Sequence, residues 1–242
     1  MSINYQPLIS TGLARQVAES IREAILSGQL RADERLPTEE ELASRFGVSR
    51  PTIREGLKRL AAMNLIHSRR GPMGGTFVKT PTLSESRSVV ANAASLLVSM
   101  GEFNPEDIIE ARRSLELSCI QLSVQRRTQE DLEALSREIE EQDNPQLSDE
   151  QFCASDVRFH QTLVHASHNP VLVFQAATVI DSLQPVLNLV IYKIRDRQFV
   201  VTQHSQILSA LTEQNLPQAE VALRRYLDGL HELLIKRCQS NA

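Results

Sequence analysis

The segment from Leu36 to Ala61 constrains the fold more than any other part of this chain. Thr38 and Glu41 have the spacing of a capping box, in which a hydroxyl and a carboxylate take up the unpaired amides at a helix start. Leu42, Ala43 and Phe46 give that helix one apolar face, and Gly47 is placed to take the positive φ that ends it. Ser49 then suits the N-cap of a second helix. Pro51 is tolerated in its first turn, where no intrahelical donor is lost. Ile53, Leu57, Leu60 and Ala61 recur at i, i+4, i+7 and i+8 as a core stripe. Arg50, Thr52 and Arg54 fall off that stripe and face outward. Two short helices across a tight turn, the second opening on cationic and hydroxyl side chains, have the shape of a helix-turn-helix whose second helix enters the DNA major groove. A solvated polar face on a small helical pair would show the same local pattern, so the flanks decide.

Upstream, Leu13, Val17, Ile21 and Ile25 make an amphipathic helix able to close a trihelical core. Downstream, Leu65 to Arg70 and Thr76 to Lys79 read as strands around the tip Gly71-Pro72-Met73-Gly74-Gly75. Such a wing carries Arg69 and Arg70 along the DNA backbone, while Gly74 and Gly75 permit close approach. Helix, helix-turn-helix and wing in this order are far more specific than any one of them.

A chain of 242 residues suggests two domains, and 41% hydrophobic residues suffice for real cores. Aromatics are only 4% and Trp is absent, which suits helices packed on aliphatic side chains. No apolar run is long enough to span a membrane and the N-terminus does not read as a signal peptide, so the expectation is a cytoplasmic protein. Cys119, Cys153 and Cys238 are odd in number and widely spaced, and read as reduced thiols. The net charge of −4 is unevenly divided: residues 1–80 carry 12 Lys and Arg against 8 Asp and Glu, whereas the remainder is strongly acidic. That asymmetry marks a nucleic-acid-binding module joined to a partner domain that repels DNA.

The boundary falls at the polar stretch Lys79-Thr80-Pro81-Thr82, giving a winged helix-turn-helix domain over 1–80 and a helical domain over 81–242. Beyond it, helix starts recur at Asn104-Pro105, Thr128 with Asp131, Ser148, Asn169-Pro170, near 197 and at Pro217. The fold class is therefore mainly α, with a small β-hairpin wing and a C-terminal all-α bundle of six or seven helices. Within the bundle Asp156 and His160 share a helix face, and His204 lies on a later helix. A carboxylate and imidazoles from facing helices can build a metal site; a simple i, i+4 pair and a surface histidine are the plainer alternative.

The motifs Gly28, Leu36-Pro37-Thr38-Glu39, Leu42-Ala43, Gly47-Val48-Ser49-Arg50, Thr52-Ile53-Arg54-Glu55 and Gly74-Gly75-Thr76-Phe77-Val78 resemble the GntR family of bacterial transcription regulators. By that resemblance Arg50, Thr52 and Arg54, with Ser49 beside them, sit at DNA-contacting positions, and Gly74 and Gly75 at the wing tip. Many members carry a basic residue where this chain has Glu40. A carboxylate cannot bind phosphate, so Glu40 faces away, accepts from a cytosine amino group, or pairs with an arginine.

Glu110 to Glu116, Asp156-Val157-Arg158-Phe159-His160 and His165 to Pro170 further resemble the FCD effector domain of the FadR branch, over about 85–237. There an Asp and three His hold a metal that a small carboxylate effector completes. Asp156, His160 and His204 match three ligands; the fourth position is Tyr226. His231, five residues on and about 140° around the helix, is a poor substitute. The resemblance implies that Arg112 clamps the effector carboxylate, with Tyr226 also lining its site. The ion would be Zn foremost, with Ni or Mn as alternatives.

These features point to an effector-controlled transcriptional regulator that binds a pseudo-palindromic operator as a homodimer. The alternatives are a metal-independent effector such as an acyl thioester and, more remotely, a metal-dependent hydrolase. A hydrolase would leave the winged helix without a purpose.

Overall fold

Ile53 and Leu60, both without solvent exposure, sit where the first three helices meet. The structure is a computed structural model describing residues 11–71, 73–79, 82–190 and 196–240. Pro72, the Thr80-Pro81 junction and the side chain of Cys238 lie outside the described residues. Helices α1 (Thr11–Leu26), α2 (Glu39–Phe46) and α3 (Arg50–Ala62) pack Val17, Ile21, Leu36, Leu42, Ile53 and Leu60 into one core. The predicted caps form: Thr38 and Glu41 close a capping box, Gly47 is left-handed at φ 63°, and the Ser49 hydroxyl accepts from the Thr52 amide. Gly56 lies against α1, where a Cβ would come within 3.1 Å of the Ala14 carbonyl oxygen and of Val17. The close approach of α1 and α3 depends on that missing side chain.

The hairpin pairs β1 (Ile66–Arg69) with β2 (Gly75–Val78), antiparallel, Ile66 opposite Val78 and Arg69 opposite Gly75. The tip is therefore shifted by one residue from the expected one: Arg70 leaves the first strand and Gly75 belongs to the second. The Gly74 amide bonds the Gly71 carbonyl at 2.8 Å, and a Cβ on Gly74 would lie 2.5 Å from the Arg69 carbonyl oxygen. Arg35 forms a bridge to Phe77, and the Leu36 amide reaches the Thr76 carbonyl at 2.8 Å. The segment before α2 thus edges the wing, a long-range pairing with no local sequence signal.

The chain divides into two compact units, Met1–Thr82 and Leu83–Ala242. The second contains, among its described residues, α4 (Leu83–Ser99), α5 (Pro105–Arg126), α6 (Gln129–Gln142), α7 (Asp149–His165), α8 (Pro170–Val190), α9 (Arg197–Thr212) and α10 (Leu216–Ser240). The capping residues fall as predicted at Asn104, Thr128 and Ser148, and Asn169 accepts from the Val171 and Leu172 amides. Asp196 caps α9, and α10 opens at Leu216, one residue before Pro217. Helix α4 gave no start signal, since its apolar residues are split between the buried Ala91 and Val98 and the exposed Val89 and Leu96. Helices α5, α6, α7, α9 and α10 enclose a core of Ile120, Leu135, Phe152, Phe159, Leu163, Ile207, Leu223 and Leu227. Among the described residues no helix is long and apolar enough to cross a membrane.

Replacing Ile53 with Ala opens a cavity in a core that cannot collapse freely, so a loss of about 2–5 kcal/mol is expected. Calorimetry reads it as a lowered unfolding transition; an unchanged transition would show that Ile53 is not a packing centre.

Candidate functional site

In the first unit the start of α3 presents an exposed polar face. Arg50, Arg54 and Ser49 are exposed and Thr52 is half-buried. The Ser49 and Thr52 hydroxyls lie 2.8 Å apart, so the N-cap engages both. Each arginine meets a carboxylate from the first turn of α2. Arg54 donates to both Glu39 oxygens, at 3.3 and 2.9 Å, and that partnership holds the Glu39 carboxyl below its usual range. Arg50 lies 3.6 Å from Glu40, so of the three possibilities for Glu40 the structure shows the arginine pair. On the wing, Arg69 donates to Asp33 and covers the Phe77 ring with its guanidinium carbon 4.8 Å from the centroid. Arg70 is exposed. Gly74 closes the turn at the tip, and Gly75 stands beside Arg35.

The second unit holds a fully buried polar cluster. Asp156 and His160 come from one face of α7, and His204 from α9. Their ligand atoms lie within 4.8 Å of one another, and His204 Nε2 is 3.5 Å from Asp156 Oδ1. Spacing alone had left open a simple i, i+4 pair and a surface histidine; instead all three side chains converge inside the bundle. What fixes them is long-range and carries no local sequence signal. His160 Nδ1 is 2.6 Å from Glu116 Oε2 on α5, and His204 Nδ1 is 2.7 Å from Gln142 Oε1 at the end of α6. Because a carboxylate and an amide oxygen only accept, each Nδ1 donates its hydrogen, leaving Nε2 as the ring nitrogen not engaged by these partners. Metal-binding histidines are ordinarily oriented in this way. Among the described residues His160 Nε2 has no hydrogen-bond partner. Gln142 is itself held, donating to the Ser155 hydroxyl at 3.0 Å. Phe159 stacks on His204 with ring centroids 3.8 Å apart and seals one side. The donor set, two imidazoles and a carboxylate that are buried and pre-oriented, suits a divalent ion.

Tyr226 of α10 enters where a fourth ligand would stand. Its hydroxyl lies 2.8 Å from both Asp156 oxygens and donates to that carboxylate. Arg112 of α5 is equally enclosed, at 1% exposure. Its Nε donates to Glu116, and its guanidinium carbon is 5.7 Å from the Tyr226 ring centroid. Its two terminal nitrogens have no hydrogen-bond partner among the described residues. Burial pushes the Glu116 carboxyl up, but the charges of Arg112 and His160 outweigh it and hold the group below its usual range. Burial also pushes the Cys119 thiol up, to about 11. Cys119 and Cys153 are buried and outside any disulfide. His168 bonds Asp131 at 2.9 Å at the start of α6, away from the ligand set.

A trihelical winged unit and a helical unit with a buried polar cluster define a two-domain DNA-binding regulator. Residues 13–78 match the bacterial regulatory proteins of the gntR family, and residues 107–229 match the FCD domain. The chain belongs to the GntR family, in the FCD-bearing FadR-type branch, and is a DNA-binding transcriptional regulator, not an enzyme. It is 29% identical over 224 residues to the HTH-type transcriptional regulator YcbG of Bacillus subtilis strain 168, covering 93% of this chain and 91% of that one. It is 32% identical over 231 residues to an Escherichia coli K12 protein named "Putative L-lactate dehydrogenase operon regulatory protein", covering 90% and 85%. A solved structure, Streptococcus agalactiae GntR, shares the fold with a TM-score of 0.58 at 23% identity, covering 91% of this chain and 100% of that one.

Substituting Arg112 with Met would leave the Glu116 carboxylate buried without its main counter-charge, an arrangement that costs about 3–5 kcal/mol. Thermal denaturation should show a large loss for Arg112→Met and partial recovery when Glu116→Leu is added. Equal losses in both variants would contradict the pairing.

Proposed function

We propose that this regulator reads a pseudo-palindromic operator as a homodimer, and that a small organic acid bound beside a divalent ion in the helical domain sets its affinity. Residues 1–80 form the reading domain and 81–242 the effector and dimerisation domain of a cytoplasmic protein. The observation that carries the effector reading is Arg112: a guanidinium buried beside the Asp156/His160/His204 set, with two terminal nitrogens lacking hydrogen-bond partners among the described residues. A buried donor pair of that kind is costly unless something accepts from it, and a carboxylate matches its fork.

Asp156, His160 and His204 would hold the ion, zinc foremost with nickel or manganese as alternatives, and a bound ion supplies positive charge that favours an anionic ligand. Glu116 and Gln142 keep the imidazole Nε2 atoms aimed inward. Tyr226 holds Asp156 in place and presents its phenol to the same pocket. Arg112 fixes the carboxylate end of the effector. The name of the Escherichia coli relative, which concerns an L-lactate dehydrogenase operon, supports hydroxycarboxylates as the first class to examine. An acid that binds one arrangement of the bundle better than another changes operator affinity by the coupling free energy between the two sites.

On the DNA side, Arg50, Thr52 and Arg54, with Ser49, meet the major groove, and Arg69, Arg70, Gly74 and Gly75 bring the wing against the backbone. Two copies related by a two-fold axis would match the two half-sites. Arg50→Ala should abolish operator-specific binding in an anisotropy titration; retained affinity would overturn the assignment of α3 as the recognition helix.

The metal reading is tested by elemental analysis of protein purified without chelator or immobilised nickel. About one ion per chain, lost in an Asp156→Ala/His160→Ala variant, is expected for a site of this donor set. Its absence from both proteins would sink the metal reading and leave Arg112 with the apolar walls as the effector site.

A further inference from the structure

The two outward arginines of α3 are held by α2 in unlike ways. Glu39 is half-buried and grips both donors along one edge of Arg54. Glu40 is 80% exposed and meets Arg50 by one contact at 3.6 Å. The first pair fixes a side chain. The second is an exposed pair of small worth, whose partners exchange readily for others. Glu40 is not needed for the helix start, because the Thr38–Glu41 capping box already closes it.

Glu40 also carries a cost. A carboxylate beside a DNA-contacting arginine repels phosphate at every sequence, lowering affinity without regard to the bases. That repulsion is offset only where the carboxylate finds a donor. In the major groove the donors are the amino groups of cytosine and adenine, while guanine and thymine turn acceptors toward it. Adenine pairs its amino group with the N7 acceptor, which a carboxylate cannot satisfy and disfavours. Cytosine offers N4 alone.

We propose that Glu40 is a specificity-determining residue of the operator contact: on DNA it leaves Arg50, which takes guanine O6 and N7, and accepts a hydrogen bond from the N4 amino group of a cytosine nearby. The inference rests on α3 being the recognition helix. It makes Glu40 both a reader of one base and a penalty on all other DNA, so discrimination comes from repulsion as much as from attraction.

The test uses the full-length protein and an operator selected from a random duplex pool. Wild type, Glu40→Ala, Glu40→Gln and Arg50→Ala are titrated against that operator, its single-base variants and a random-sequence duplex, at two salt concentrations. Glu40→Ala should bind the random duplex several-fold more tightly and lose preference at one cytosine per half-site. Glu40→Gln should move that preference toward adenine, since an amide donates to N7 and accepts from N6. Thermal midpoints of both Glu40 variants should match wild type, which separates base reading from a folding role. Unchanged base preferences in both variants would overturn the proposal. Intact operator binding by Arg50→Ala would instead remove the recognition-helix reading beneath it.

Discussion

The helical domain depends on one buried ionic arrangement, in which Glu116 is shared between the Arg112 guanidinium and the His160 ring. None of the three groups reaches solvent. Desolvating a guanidinium and a carboxylate is expensive, and the arrangement persists only because each charge meets its opposite at hydrogen-bond distance. The same carboxylate has two consequences. It engages the Arg112 Nε, and it orients the His160 ring through Nδ1. A hydrophobic set of equal volume would stabilise the bundle at least as well. What the charges contribute is a pocket with defined donors and acceptors.

The polar cluster also joins helices that hydrophobic packing alone would leave interchangeable. Glu116 comes from α5, Gln142 from α6, Asp156 and His160 from α7, His204 from α9 and Tyr226 from α10. Each of the three clustered side chains has its own supporting partner on a different helix: Glu116 for His160, Gln142 for His204, Tyr226 for Asp156. A change in what occupies the pocket therefore acts on five helices at once.

Much of this was legible in the sequence, and the boundary of legibility is physical. The capping boxes at Thr38 and Thr128, the left-handed Gly47 and the Asp156/His160 face all follow from spacings within one or two turns, and each is present. The supporting contacts are different in kind. Glu116 and His160 are 44 residues apart, and Gln142 and His204 are 62 apart, so no periodicity links them. The pairing of Arg35 with the wing is likewise a matter of tertiary approach. Helix α4 escaped notice because its apolar residues do not gather on one stripe. Tyr226 was visible as a departure from the family pattern, but only the structure shows it spanning both oxygens of Asp156.

The absence of tryptophan gives that phenol an unusual standing. With three tyrosines in the chain and no indole to mask them, the intrinsic ultraviolet emission belongs to tyrosine alone. One of the three is enclosed in the pocket with its hydroxyl against a carboxylate. Anything that draws Asp156 away changes the electronic surroundings of that ring. The protein thus carries, inside its helical domain, a built-in optical reporter of the Asp156 carboxylate that requires no label.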